Sequence, residues 1–336
     1  MDRNQSLETL LLSDKGMNKL LLSIWVMLCF MLHAKSQQRV QFSQYMNNLY
    51  MINPAAGGTD DYGDIKVSYR SQWIGLPGAP TSYYVSGHVP LEKIAGSGRS
   101  VNYKKNYNTA GGYICNDKTG PTSRLNMVGS YAYNMKVSDN FRVSSGIFLG
   151  IQQYTLHGES LTFHDPGDNS TLQRVIVPDI TIGMMGYSKK VYFGISMSQV
   201  FQNKLNFDYS AISSERDKNS KLSNHYYITS GVKINVNDDF TLIPSILIKY
   251  VSPAVPSIDI NAKLKYKKMF WVGASYRNLD SFIGMVGANI NQIFVLAYSY
   301  DASISGLSTY NAGSHEILLG VKLQGKRKYL LQKYFW

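Results

Sequence analysis

From residue 64 to residue 324 the chain alternates apolar and polar side chains with a period of two. In 125–135, Leu125, Met127, Tyr131, Tyr133 and Met135 share one parity, while Asn126, Ser130 and Asn134 take the other. In 257–266, Ile258, Ile260, Ala262, Leu264 and Tyr266 oppose Asp259, Asn261, Lys263 and Lys265. Successive side chains of a strand point to opposite faces, so this is the signature of strands with one apolar face. No segment in this stretch carries a sustained helical stripe. Fourteen strands are predicted, at roughly 64–73, 81–89, 109–116, 122–136, 141–156, 178–188, 191–200, 224–237, 240–251, 257–267, 269–277, 281–290, 292–301 and 314–324. Many run to about ten residues, the length a tilted strand needs to cross a bilayer. Strands of soluble proteins are usually about five or six.

The connections sharpen this reading. Links around Ser138-Asp139-Asn140, Lys189-Lys190, Asp238-Asp239, Lys267-Lys268 and Asn291-Gln292 are short, whereas 157–177, 201–223, 252–256 and 302–313 are longer. Short turns on one side, long loops on the other and an even strand count predict an all-β transmembrane barrel of about fourteen antiparallel strands. Its turns and both termini are expected in the periplasm and its long loops outside. Two links fit less well: 90–108 is long on the turn side, and 278–280 is short on the loop side. Aromatic residues near strand ends, among them Tyr69, Tyr83, Tyr84, Tyr154, Tyr192, Tyr227 and Trp271, are expected to form interfacial girdles.

Charge supports the barrel over a soluble sandwich, whose outward face would be far richer in charge. Charged residues make up 17 % of the chain, against about 25 % in soluble domains. The net charge of +12 comes from 34 Lys and Arg against 22 Asp and Glu. A nucleic-acid binder would gather it on one surface. Here it is divided between inward strand faces and the turn side, at Lys104-Lys105, Lys189-Lys190, Lys267-Lys268 and Lys326-Arg327-Lys328. No nucleic-acid partner is expected.

Four regions follow. Residues 1–36 read as a signal peptide: Lys19 precedes a 13-residue run, Leu20 to Leu32, interrupted only by Ser23, and Ala34-Lys35-Ser36 makes a small-x-small site. Residues 1–16, before Met17, read as an upstream mis-start. Residues 37–60 are polar and cannot span lipid, so they are expected inside the lumen or at the periplasmic mouth. There they would be ordered against inward Arg70 and Gln72, because Phe42, Tyr45 and Tyr50 would otherwise be exposed. Residues 61–324 form the barrel, and 325–336 are a basic-aromatic tail.

No catalytic constellation emerges. The histidines are scattered without metal-ligand spacing, and no nucleophile elbow is present. No metal or cofactor is expected. Ser314 and His315 are adjacent but lack a third member. The inward faces carry Lys66, Arg70, Arg124, Arg142, Lys233, Lys249, Lys263, Lys265, Arg277 and Lys322, with Asp259, Asp301 and Glu316 among them. These residues are either a stabilising ion-pair network or a surface for a plug or a passing polypeptide.

Two motif pairs are more specific than generic barrel sequence. One is Gln41-Phe42-Ser43-Gln44-Tyr45-Met46 followed by Ile52-Asn53-Pro54-Ala55-Ala56-Gly57-Gly58. The other is Tyr69-Arg70-Ser71-Gln72-Trp73-Ile74-Gly75 followed by Gly78-Ala79-Pro80. With these, from about 41 to 324, the chain resembles the PorP/SprF family of outer-membrane proteins of the type IX secretion system. The resemblance implies a non-enzymatic barrel that works with type IX secretion components. Such a barrel would help export or anchor particular large surface proteins, including gliding adhesins, through their C-terminal domains. The partner- or plug-binding candidates are Phe42, Gln44, Tyr45, Asn53, Pro54, Arg70, Gln72, Trp73, Arg277 and Glu316. An outer-membrane diffusion channel is the competing expectation. Such chains are expected to end at the last strand, and this one continues to Trp336.

Overall fold

The computed structural model describes residues 39–59, 62–91, 106–158, 172–205, 221–267, 269–291 and 293–323. The expected signal peptide and C-terminal tail lie outside them. The strands are β1 (Gly63–Ser71), β2 (Thr81–Pro90), β3 (Tyr107–Thr119), β4 (Thr122–Lys136), β5 (Phe141–His157), β6 (Leu172–Ser188) and β7 (Val191–Ser198). They continue with β8 (His225–Val232, resumed at Ile234–Asn235 after a break at Lys233), β9 (Phe240–Val251), β10 (Ser257–Tyr266) and β11 (Phe270–Arg277). The last three are β12 (Ser281–Ile290), β13 (Phe294–Ser303) and β14 (Ser314–Leu323). Each pairs antiparallel with its sequence neighbours, and β14 returns to β1 with Gly63 opposite Leu323 and Ser71 opposite His315. The sheet is therefore a closed fourteen-stranded barrel with no free edge, as the alternation predicted.

Burial is inside out. On β1, Ile65, Val67 and Tyr69 are 42, 42 and 52 % exposed, while Asp64, Ser68 and Arg70 are 1–2 % exposed. The apolar parity thus faces outward and the polar parity fills the lumen, the distribution expected where the surrounding solvent is hydrocarbon.

Two expectations change. First, the aromatics divide by parity rather than by position along the strand. Tyr69, Tyr83, Tyr131, Tyr250, Phe270 and Tyr298 are outward and exposed, but Tyr84, Tyr154, Tyr192, Tyr227 and Trp271 are buried in the lumen. Adjacent Tyr83 and Tyr84 cannot both join a girdle, because neighbouring side chains leave opposite faces. Second, β6 begins at Leu172 rather than near 178, so β5 and β6 make a hairpin of two 17-residue strands paired from Phe141↔Ser188 to His157↔Leu172. Its inner face is covered near the loop end, where Tyr154 and Val177 cluster with Leu205 and Leu222 of the β7–β8 connection. The described residues begin at the loop end, where Arg39 donates to Asp179 at 2.9 Å, beside the loop-end terminus of β7. The two termini of the sequence, expected in the periplasm, lie outside the described residues.

Candidate functional site: a strap through the lumen

Residues 39–59 descend the lumen from the loop end to the turn end and then enter β1. The segment is irregular, with single 3₁₀ turns at Tyr45–Asn47, Leu49–Met51 and Pro54–Ala56. Its backbone groups, unpaired by any ladder, need partners because they are buried. The inward polar face of the barrel supplies many of them.

At the top, Lys249 Nζ donates to Gln41 Oε1 at 3.1 Å, and the Phe42 ring meets Tyr84 edge-on at 4.7 Å. Ser43 is the centre of the clamp. Its N–H donates to Glu316 Oε2 at 2.7 Å, its hydroxyl donates to Asp301, and it accepts from the Arg70 guanidinium. Gln44 Nε2 donates to the Glu316 carbonyl at 3.1 Å. Midway, Asn48 Nδ2 donates to Ser86 at 2.9 Å and to the Tyr84 hydroxyl at 3.2 Å. Asn261 bonds the Tyr45 hydroxyl, and Tyr50 bonds Ser130. Lower down, Asn53 Nδ2 donates to the carbonyls of Met184 and Ile195 at 3.1 and 3.2 Å. Its Oδ1 accepts from Ala55 N at 2.9 Å, capping the last turn, with Pro54 in the position that needs no N–H. Ser196 donates to the Ile52 carbonyl at 2.6 Å, Tyr107 to that of Gly58 at 2.6 Å.

Apolar packing accompanies these bonds. Tyr45, Met46, Leu49, Ala55 and Ala56 pack with inward Met185, Tyr187, Tyr192, Trp271 and Leu318. Tyr50 joins Tyr84, Tyr113 and Phe148. The strap reaches the wall through glycines. A Cβ on Gly146 would lie 2.6 Å from Pro54 C and 2.7 Å from Ala55 N, and one on Gly183 would overlap Asn53 Oδ1. Gly146→Val should therefore displace the Asn53–Ala56 turn and destabilise the barrel by about 1–3 kcal/mol. Urea titration in lipid, with Gly129→Val as the open-wall control, measures it. An equal cost at both sites would contradict the contact.

Around Ser43 the wall carries a belt of charge at the loop-end termini of its strands. Arg70 on β1 donates to Asp301 on β13 at 2.8 Å and to Glu316 on β14 at 3.2 Å. Arg277 on β11 pairs with Asp259 on β10 at 3.2 Å and with Asp280 at 3.2 Å, and lies 3.8 Å from Asp301. Lys249 on β9 pairs with Asp259 at 3.1 Å. Arg70, Arg277, Asp259, Asp301 and Glu316 are all nearly fully buried. Buried charges persist only when paired and hydrogen-bonded, and here the strap supplies part of that pairing. Beside the belt is a cavity of about 140 Å³ lined by Arg39, Phe42, Tyr227, Lys249 and Val255 among others.

Of the ten sequence candidates, Phe42, Gln44, Tyr45, Asn53, Pro54, Arg70 and Glu316 meet at the strap. Arg277 joins through Asp301. Gln72 and Trp73 do not: Gln72 donates its N–H to the Pro80 carbonyl, and Trp73 donates its N–H to the Ser314 hydroxyl at 3.1 Å, both from the β1–β2 connection. These are backbone bonds, and among the described residues no side-chain hydrogen bond joins either residue to the strap. Sequence reasoning passed over Arg39, Ser43, Asn48 and Asp179. A polar residue beside Phe42 or Tyr50 carries no local mark of a partner that lies from 36 to 273 residues away. Ser314 and His315 take opposite parities: Ser314 is buried, and His315 bonds outward Tyr298 at 2.6 Å. They cannot act together on one substrate. Among the described residues no cluster of three or more metal-ligating side chains is found.

The family model described as "Type IX secretion system membrane protein PorP/SprF" matches residues 34–321. No curated protein matches the chain. Among solved structures it is similar to the Ralstonia pickettii toluene transporter TbuX, with a TM-score of 0.49, 10 % identity and coverage of 82 % of this chain and 92 % of that one. It is also similar to the Pseudomonas putida toluene transporter TodX (0.48, 9 %, 82 % and 93 %) and to the translocator domain of the autotransporter NalP from Neisseria meningitidis (0.45, 9 %, 84 % and 95 %).

Proposed function

The chain belongs to the PorP/SprF family of type IX secretion system membrane proteins, and from that premise we propose that it is a non-enzymatic partner barrel for particular secreted surface proteins. It is an outer-membrane barrel and a component of secretion rather than an enzyme. In the finer reading, it engages type IX components and one large surface protein or adhesin, of the kind used in gliding, through that protein's C-terminal domain. The outward apolar parity meets outer-membrane lipid. The long loops face the exterior, and β14 ends in the periplasm.

The observation that carries this reading is the strap. A diffusion channel needs an open bore, whereas here residues 39–59 are bonded to the wall along the lumen from Asp179 to Tyr107. A barrel closed in this way is suited to holding a partner rather than to passing solutes. Affinity capture of the tagged barrel from native membranes should recover type IX components and a large surface protein. Recovery of neither, together with steady large single-channel currents from the intact protein, would favour the diffusion channel.

A further inference from the structure

The cavity beside the charge belt has the size and the lining of a ligand site. Its volume of about 140 Å³ is close to that of an engineered protein cavity, about 150 Å³, that takes up benzene. It therefore has room for one ring. Its walls are apolar and aromatic: Phe42 of the strap, Tyr84 and Tyr113 of β2 and β3, and Tyr227, Leu247 and Val251 of β8 and β9. Phe42 and Tyr84 already meet edge-on at 4.7 Å, and aromatic side chains pack a further ring by the same edge-to-face or offset contacts. At the loop end the lining passes to Ala254 and Val255 in the 252–256 connection, and Val255 is 74 % exposed. The cavity thus opens at the rim, where β9 leads into β10.

The second observation is the sign of its polar groups. Arg39 and Lys249 line the cavity, and among the described residues no aspartate or glutamate does. Their carboxylate partners, Asp179 at 2.9 Å and Asp259 at 3.1 Å, are nearly fully buried and stay off its wall. Neither cation is used up by that pairing. A guanidinium and an ammonium each carry several N–H donors. Among the described residues Arg39 donates from Nη2 alone, and Lys249 gives one bond to Gln41 and one to Asp259. Each keeps a donor for a further acceptor, and such charge-assisted bonds to a carboxylate are stronger than neutral ones.

We propose that this cavity binds a small aryl carboxylate, its ring against Phe42, Tyr84 and Leu247 and its head on Arg39 and Lys249. A mostly apolar wall with a few polar groups that fix orientation is the usual build of a small-molecule site. The strap supplies Phe42, Tyr45 and Met51 to the wall, so the ligand is held against the strap. Such a site goes beyond the partner-barrel reading and does not depend on it.

The test uses the full-length barrel in nanodiscs of neutral lipid and phenylacetate, read by isothermal titration calorimetry. Phenylacetate should bind saturably, and phenylethanol, of similar shape without the charge, about tenfold more weakly. Arg39→Gln combined with Asp179→Asn removes the head contact without stranding an acid, and should weaken phenylacetate about tenfold. Lys249→Gln leaves Asp259 paired with Arg277 and should weaken it severalfold. Lys204→Gln, on the loop side but off the cavity wall, should leave binding unchanged, and heat-modified electrophoretic mobility confirms that every variant is folded. Absence of saturable binding would overturn the proposal. So would phenylethanol binding as tightly as phenylacetate, a folded Arg39/Asp179 variant that binds like wild type, or equal weakening by Lys204→Gln.

Discussion

Arg70→Met is expected to be the most destabilising single substitution in the barrel, lowering its unfolding free energy by about 3–5 kcal/mol. The arginine is 1 % exposed and neutralises two carboxylates that are themselves 2 % and 0 % exposed, Asp301 and Glu316. Removing it leaves both charges in the lumen wall with Ser43 and the more distant Arg277, and the cost of an uncompensated buried charge exceeds that of losing a packed side chain. It also removes a donor to the Ser43 hydroxyl, so the strap loosens at the point where it is tied to three strands at once. Arg70→Lys keeps the charge but cannot reach Asp301, Glu316 and Ser43 together, so an intermediate loss is expected. Combining Arg70→Met with Glu316→Gln should recover part of the deficit. A cost additive over the two sites would mean that the pair is not coupled. Urea titration of the lipid-reconstituted protein reads these three variants and the Glu316→Gln single that the comparison requires.

The wall of this molecule was legible in the sequence because its solvent imposes a rule at every residue. Outward positions meet hydrocarbon and inward positions meet polar groups, so the period of two is written along every strand, and the closed fourteen-stranded order followed from it. The lumen obeys no such rule. Arg70 and Glu316 were identifiable as inward, but their union with Ser43 depends on a segment that folds without periodicity and runs across the strands. The direction of that segment was illegible for the same reason: nothing in 39–59 distinguishes entering from the loop end from entering at the turn end. The aromatic residues show the limit from the other side. Strand-end position placed Tyr154, Tyr192 and Trp271 in the girdles, yet parity, equally visible in the sequence, turns them inward to pack on the strap and its surroundings.

Deleting residues 37–59 should convert the barrel from a closed body into a conducting one. The strands close on each other through β1–β14 and need no strap for their ladder. The charge belt retains the Arg70–Asp301, Arg70–Glu316 and Arg277–Asp259 pairs without it. What is lost is the filling: Tyr45, Met46, Leu49 and Tyr50, all under a tenth exposed, leave the centre of the bore. Eight strands enclose only their own side chains and sixteen leave a water-filled channel, so fourteen stripped of a plug should pass ions. In planar bilayers the expected result is discrete steps with a mean current on the order of tenfold above the intact protein. The current should be anion-selective, because Lys66, Lys263, Lys265 and Lys322 take the inward parity in the turn-end halves of β1, β10 and β14. Cation selectivity would contradict that placement. A folded deletion variant as silent as the intact protein would show that the wall side chains close the bore by themselves and that the strap serves only to hold it.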